Sequence, residues 1–405
     1  MKKQMYKISY ILICIYIFIV PVIPYNLTIK NKGSVADLLL LIIFLTFFAA
    51  LLQKRVSVKD IIRCMFSDIF LISMLCLTIV MAFSVLYAKE KSLALSETLR
   101  FFSYFVLIIM LKLNYGEEKY FKKIKLCYFS SVFVTCLIGI IQAVTGLGLE
   151  HKYYYVFNGI KMERIASTFE NPNSFAAFLV MSIFPVIMFA IKEKAKLLKI
   201  MYSVLVVLIL CSIVLTGSRN AFVGVGIGLL TLTIIYSIKL LIPIGILGVA
   251  AYFIPRISSR IKDIGNSTLD AARLKLWKTA IKMIKDHPVF GVGNGNYVSY
   301  YDEYVKKYPE LSYADFSRYP VHNSYLKVET ELGIPGGITF AAVIITLLMK
   351  IYNTLKYSES FVKKTFYTGF FASAVAFLFM NFSDNLLFVP KIAVFFWIFI
   401  GLCDR

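Results

Sequence analysis

Apolar residues gather into twelve long stretches, near 8–24, 35–52, 69–88, 97–113, 126–145, 174–192, 199–216, 221–238, 240–255, 333–350, 365–383 and 385–402. About 20 mostly apolar residues in a helix cover the hydrocarbon core of a bilayer. In lipid, a helix satisfies its own backbone donors and acceptors without water. The pattern therefore predicts an all-α integral membrane protein of about 12 transmembrane helices. Met1 to Lys7 is basic and runs into an apolar stretch without a small-residue cleavage site, so it reads as the first span and not as a cleavable leader. Two longer segments interrupt the spans, one from Gly146 to Asn173 and one from Pro255 to Val321. The expected organisation is helices 1–9 in 1–254, a partly helical extracytoplasmic loop domain in 255–324 between helices 9 and 10, and helices 10–12 in 325–405.

Charge sets the orientation. Lys54, Arg55, Lys59 and Arg63, then Lys119, Lys122, Lys123 and Lys125, then Lys192, Lys194, Lys196 and Lys199, then Lys350, Lys356, Lys363 and Lys364 fall in alternate loops. Basic loops stay in the cytoplasm, so both termini are expected there and the two long segments outside. Composition agrees: 59% of the 405 residues are hydrophobic and 17% charged, with a mean hydropathy of +0.76, whereas soluble chains are roughly a quarter charged. The net charge of +21 follows from the loop pattern and does not imply nucleic acid, since no basic domain stands apart from the spans. All seven cysteines fall in spans or on the inner side, so no disulfide is expected.

Five stretches carry candidate chemistry. Arg219, in Gly217-Ser218-Arg219-Asn220 between two spans, either snorkels to headgroups or presents its planar fork to phosphate oxygens. A helix over 269–286, opened by Ser267 and Asp270 and stopped by Pro288, has Leu269, Ala272, Leu276, Ala280 and Ile284 on one face, which suits a membrane surface. On it Arg273 and Trp277 are neighbours; either the ring holds the guanidinium over its face or the arginine snorkels from an interfacial helix. His287 to Asn296 alternates glycines, yet a helix and not a strand precedes it, so it reads as a loop that redirects the chain. His322 precedes a helix on which Tyr325 and Glu329 share its side; it is either a proton acceptor or a structural histidine. Arg164 to Asn173 either binds polar groups or caps a helix at Asn173. The topology puts Arg164, Arg219, Arg273 and His322 on one side, as an anionic lipid-linked substrate would require.

The pieces come in a fixed order: Asn171-Pro172-Asn173 before a span, Gly217-Ser218-Arg219-Asn220, Arg273 with Trp277, His287-Pro288 with Gly291 and Gly293, then His322-Asn323-Ser324-Tyr325-Leu326 and Glu331-Leu332-Gly333-Ile334-Pro335-Gly336. With twelve spans and one long late loop, this resembles the O-antigen ligase and O-antigen polymerase family, membrane glycosyltransferases of the GT-C type. The resemblance implies a multi-pass protein of the bacterial cytoplasmic membrane that acts on its outer face. Its substrate would be an oligosaccharide on a polyprenyl diphosphate, with membrane lipid and other polysaccharide-assembly proteins as partners and no metal or other cofactor. Carried over by motif, Arg219 and Arg273 would hold the donor diphosphate and His322 would be the catalytic base. Arg164, Asn173, Trp277 and Asn323 are further substrate-binding candidates. A polymerase of repeat units is the preferred expectation, and a ligase using a lipid or protein acceptor is the alternative. A lipid-linked oligosaccharide transporter, suggested by Arg100, Lys327 and Asp384 in or near spans, and a non-catalytic scaffold are the other classes.

Overall fold

The computed structural model describes residues 2–27, 35–52, 57–157, 159–262, 267–313 and 316–404. These form sixteen α-helices and one antiparallel hairpin. In chain order they are α1 (Lys2–Val22), α2 (Val35–Leu52), α3 (Val58–Phe66), α4 (Ile69–Ser84), α5 (Lys91–Asn114), α6 (Glu118–Thr145), β1 (Tyr154–Phe157), β2 (Ile160–Glu163), α7 (Pro172–Lys192), α8 (Lys196–Thr216), α9 (Arg219–Ile235), α10 (Leu241–Tyr252), α11 (Pro255–Lys262), α12 (Ser267–Asp286), α13 (Tyr297–Lys307), α14 (Ser324–Tyr357), α15 (Phe361–Met380) and α16 (Pro390–Gly401).

Each apolar stretch lies on a helix, but the helices differ in length. Among the described residues, five are long and apolar enough to cross a bilayer, or up to seven if each of two bent pairs is one span. Shorter apolar helices include Lys7–Val22, Ala36–Ala49, Arg219–Ile235 and Pro390–Gly401. One bent pair adds an element absent from the hydropathy pattern: α3 meets α4 at 97°. A capping box starts α3, with Asp60 N donating to Ser57 Oγ at 3.1 Å and Ser57 N to Asp60 Oδ2 at 3.0 Å. Its Lys59 and Arg63 are thus helix residues and not loop charges.

The centre of the bundle is α7 against α15, both buried along most of their length. On α9, Gly224 and Gly228 are one turn apart. A Cβ on Gly228 would stand 2.2 Å from the Phe184 ring of α7, and one on Gly224 2.8 Å from Met380 Sδ of α15. Small residues at this spacing let helices pack closely where no hydrophobic effect drives them together. At one end of the bundle, Asp68 caps α4 and takes the ammonium groups of Lys112 on α5 and Lys350 on α14, the latter at 2.6 Å. Lys363 pairs with Asp404 nearby. Lys350 and Lys363, counted above among basic loop residues, are therefore buried partners of carboxylates.

The other end carries the hairpin, α11 to α13 and the α15–α16 loop. Here α12 departs from the expected membrane-surface role. Leu276, Ala280 and Met283 are buried with Tyr297, Tyr301 and Tyr304 of α13 and with Val321, so the apolar face closes a small core inside the loop domain. The side chains of Ser267 and Asp270, the expected start of this helix, lie outside the described residues.

The glycine-rich segment is a clamp on α14. That helix breaks at Gly333, whose φ of +61° and ψ of −160° suit glycine. Across the break, Val292 N donates to Thr330 O at 3.0 Å, Gly293 N to Glu331 O at 2.8 Å and Ile334 N to Pro288 O at 3.1 Å. A Cβ on Gly291 would be 2.5 Å from the carbonyl carbon of Glu331. The segment redirects the chain, as its sequence suggests, and positions the start of α14.

Candidate functional site

The site is built where the hairpin, the α8–α9 turn, α11, α12 and the α15–α16 loop meet. Gly217 ends α8 in the left-handed region at φ +56°, which turns the Thr216 and Gly217 carbonyls outward. Arg164, just after β2, donates through Nε to Thr216 O at 2.7 Å and through Nη2 to Asn173 Oδ1 at 2.7 Å. Arg260 of α11 donates through Nε to Gly217 O at 2.9 Å. Its guanidinium carbon is 4.5 Å from the centroid of the Tyr155 ring, a cation–π contact. The carbonyl end of a helix carries partial negative charge, which favours cations there.

Arg164 and Arg260 thus share the α8–α9 turn, and Arg219 and Arg273 are near enough to act electrostatically on Arg164. Burial, and then the charges of Arg260, Arg273 and Arg219, push the Arg164 guanidinium down to about 10, with Tyr155 opposing. At about 10 it remains charged at neutral pH. Like charges gathered in one place repel, so the cluster is suited to a multiply charged anion. Beside it, Tyr155 Oη, Ser218 Oγ and Arg256 Nη1 are buried without a hydrogen-bond partner. Buried polar atoms are nearly always paired, so three orphans here add to the polar capacity of the site.

Arg273 links this cluster to His322. Its charge acts on Arg164 and also on Asp384, in the α15–α16 loop. His322 Nδ1 lies 3.1 Å from Asp384 Oδ1. Burial works against ionising Asp384; the hydrogen bond and charge of His322, the charge of Arg273 and the Asn385 backbone N–H outweigh it and hold the carboxyl below its ordinary value. An ionised carboxylate only accepts, so Nδ1 carries the proton and Nε2 has the free lone pair. His322 has a φ of +50°, a left-handed conformation that costs about 1–2 kcal/mol outside glycine. Trp277 Nε1 donates to His322 O at 3.4 Å, and Asn323 N donates to Asn385 Oδ1 at 2.8 Å. The strained residue is pinned on both sides.

The remaining candidates sort by what they touch. Asn323 is the N-cap of α14, its Oδ1 accepting from Tyr325 N and Leu326 N, both at 3.0 Å. The cap of α7 is Asn171, which accepts from Ser174 N at 2.9 Å, whereas Asn173 holds Arg164. Tyr325 donates to Leu378 O at 2.8 Å and stacks on Phe382, so it knits α14 to α15. Lys327 pairs with Glu331, and Arg100 with Glu97. Two residues were not picked out for the site from sequence. Arg260 looked like one of many cations in a long loop, though Arg256 and Arg260 one helical turn apart were a readable signal. Asp384 stood out only as a charge near a span, and at 62 residues from His322 nothing in the sequence pairs the two.

Residues 204–341 match the family model described as O-antigen ligase. That stretch contains Arg219, Arg260, Arg273 and His322, and the resemblance seen in the motifs is borne out over it. The chain is 27% identical over 349 residues to the teichuronic acid biosynthesis protein TuaE of Bacillus subtilis, covering 79% of this chain and 67% of that protein. It is 21% identical over 258 residues to the ComP-specific O-oligosaccharyltransferase of Acinetobacter baylyi, covering 60% of this chain and 44% of that protein.

Proposed function

We propose that this chain joins oligosaccharide repeat units carried on polyprenyl diphosphate into a cell-surface polysaccharide, on the extracytoplasmic face of the bacterial cytoplasmic membrane. The observation that carries the proposal is the His322–Asp384 pair at 3.1 Å, with Arg273 joining it electrostatically to the arginine cluster. Reading α1, α2, α4 to α10 and α14 to α16 as spans gives an even number, keeps both termini in the cytoplasm and puts the site outside.

The chemistry is a single displacement. His322 Nε2 takes the proton of an acceptor hydroxyl as its oxygen bonds to the anomeric carbon of the donor. The bond from that carbon to the diphosphate oxygen breaks, and its electron pair leaves with the lipid diphosphate. Arg219 and Arg273, with Arg260 and Arg164 beside them, stabilise the charge that grows on the leaving group. Fixed donors aimed at developing charge are worth about 100- to 1,000-fold each. One displacement inverts the anomeric configuration. Asp384 holds the imidazole in the tautomer that can accept.

The printed name of the Bacillus relative, a teichuronic acid biosynthesis protein, favours polymer formation. The ligase reading has its own support in the family description and in the Acinetobacter relative's name, an O-oligosaccharyltransferase. Incubating the pure protein in detergent with a defined lipid-linked repeat unit, and sizing the product, tests both. A series of lengthened lipid-linked glycans is expected. Lengthening in detergent, where no compartments exist, also rules out transport as the sole activity. A product seen only after a second, unrelated acceptor is added would favour the ligase, and no product with either would contradict glycan transfer.

A further inference from the structure

The loop domain carries a run of aromatic rings that ends at His322. Tyr313 and Tyr319 are stacked at 4.7 Å between centroids with 20° between planes. Phe316 joins them, 5.0 Å from Tyr319 and 5.8 Å from Tyr313. Tyr319 in turn lies 5.3 Å from the imidazole of His322. The outermost ring is bare: Phe316 is 54% exposed and takes no part in the apolar core beneath. The innermost ring is the one beside the imidazole; burial first and then Tyr313 raise its hydroxyl, with smaller effects of Arg273 and Asp384.

The run is tied down at both ends. Ser317 Oγ donates to Asp302 Oδ2 at 2.6 Å and Arg318 N to Asp302 Oδ1 at 3.0 Å. The Arg318 fork grips both carboxylate oxygens of Glu90 at 2.6 and 3.0 Å. Tyr313 N donates to Tyr301 Oη at 3.0 Å, and Lys275 Nζ to Ser312 O at 3.1 Å. Arg318 is kept at a φ of +53°, a strained conformation that persists only where its surroundings over-determine it. Preorganised aromatic faces bind with little loss of side-chain freedom.

A pyranose has one face lined with C–H groups, which packs on the negative face of an aromatic ring, while its hydroxyls stay in water at the edge. We infer that Tyr313, Phe316 and Tyr319 are the subsite for the acceptor glycan, stacking its sugar rings so that the terminal hydroxyl meets His322 Nε2. The inference rests on the proposed transfer reaction and assigns its second substrate. The arginine cluster is left to the donor diphosphate. Acceptor selectivity then comes from which sugars present a flat C–H face, and a repeat unit ending in such a sugar is the preferred class.

The test uses the full-length protein in lipid nanodiscs and a lipid-free oligosaccharide, released by mild acid from the host's own lipid-linked repeat units. Saturation-transfer NMR should show transfer from aromatic protons to sugar C–H protons. Phe316→Ala should weaken glycan binding roughly three- to tenfold, and Phe316→Trp should restore it. In turnover with lipid-linked substrate, Phe316→Ala should raise the acceptor KM by a similar factor while kcat holds. Because Phe316 is exposed, its loss leaves the loop core intact. Absence of saturation transfer in the native protein would overturn the proposal, as would a Phe316→Ala variant that binds the glycan normally, or one that loses kcat at unchanged KM. Full turnover in His322→Ala would end the base assignment alone, because glycan binding is measured without turnover.

Discussion

Replacing His322 by alanine is expected to slow chain extension by about 100- to 10,000-fold, the usual worth of a positioned general base. The variant should accumulate in the membrane at the native level, because His322 lies outside the helices and its backbone, not its ring, is what Trp277 and Asn323 help to fix. Removing the ring should even relieve some of the strain at φ +50° if glycine is used instead. His322→Gly then separates the two roles: it should be as inactive as His322→Ala and no less stable. Polymer of normal length from either variant, sized by gel electrophoresis, would remove the catalytic base from the scheme.

The second large effect is expected at Asp384. Asp384→Asn keeps the size of the side chain but gives it an N–H. That amide can donate to Nδ1 and so force the proton onto Nε2, the atom needed as acceptor. Loss of the orienting carboxylate in such a pair costs up to about 10,000-fold in the worked case of the serine proteases, and a drop of at least about 100-fold is expected here. The Asp384 carboxyl is held below its ordinary value and stays ionised across the neutral range, so the native protein should keep this carboxylate's contribution throughout that range. Measured as kcat per amount of folded protein, the loss in Asp384→Asn should therefore persist across neutral pH. A purely structural Asp384 would change the amount of folded protein and leave kcat alone.

Much of this molecule is written plainly in the order of its residues, and the rest is not, for physical reasons. Long apolar runs lead to helices because the bilayer leaves the backbone no other partner. That signal says little about length: α10 and α16 are each 12 residues long, and the run near 333–350 continues a helix that begins at Ser324 and breaks at Gly333. The short α3 escaped because an amphipathic helix beside a basic loop has the hydropathy of a loop. Apolar periodicity on α12 showed one buried face but not what would bury it. Tyr297, Tyr301 and Tyr304 of α13 do so, and neither composition nor spacing tells a tyrosine core from a lipid headgroup. In the site, Arg164, Arg219 and His322 could be singled out because each sits at a span edge or beside a turn, and Arg273 because Trp277 is its neighbour on the same helix. The roles of Arg260 and Asp384 were not legible there, since they come from α11 folding back on the α8–α9 turn and from the α15–α16 loop meeting the start of α14. Asn323 shows the converse: its place in a motif suggested substrate binding, and its side chain is occupied by the first two N–H groups of α14 that it caps.

The central claim is that the arginine cluster and His322 share one extracytoplasmic pocket that grips a lipid diphosphate. Its most direct test is thiol labelling of single cysteines placed at 219 and 322, in a chain whose seven native cysteines have been replaced. A membrane-impermeant maleimide should label both positions from outside intact cells, and added polyprenyl diphosphate should slow both reactions together. Labelling of either position only after the membrane is opened, or slowing at one position without the other, would contradict the account.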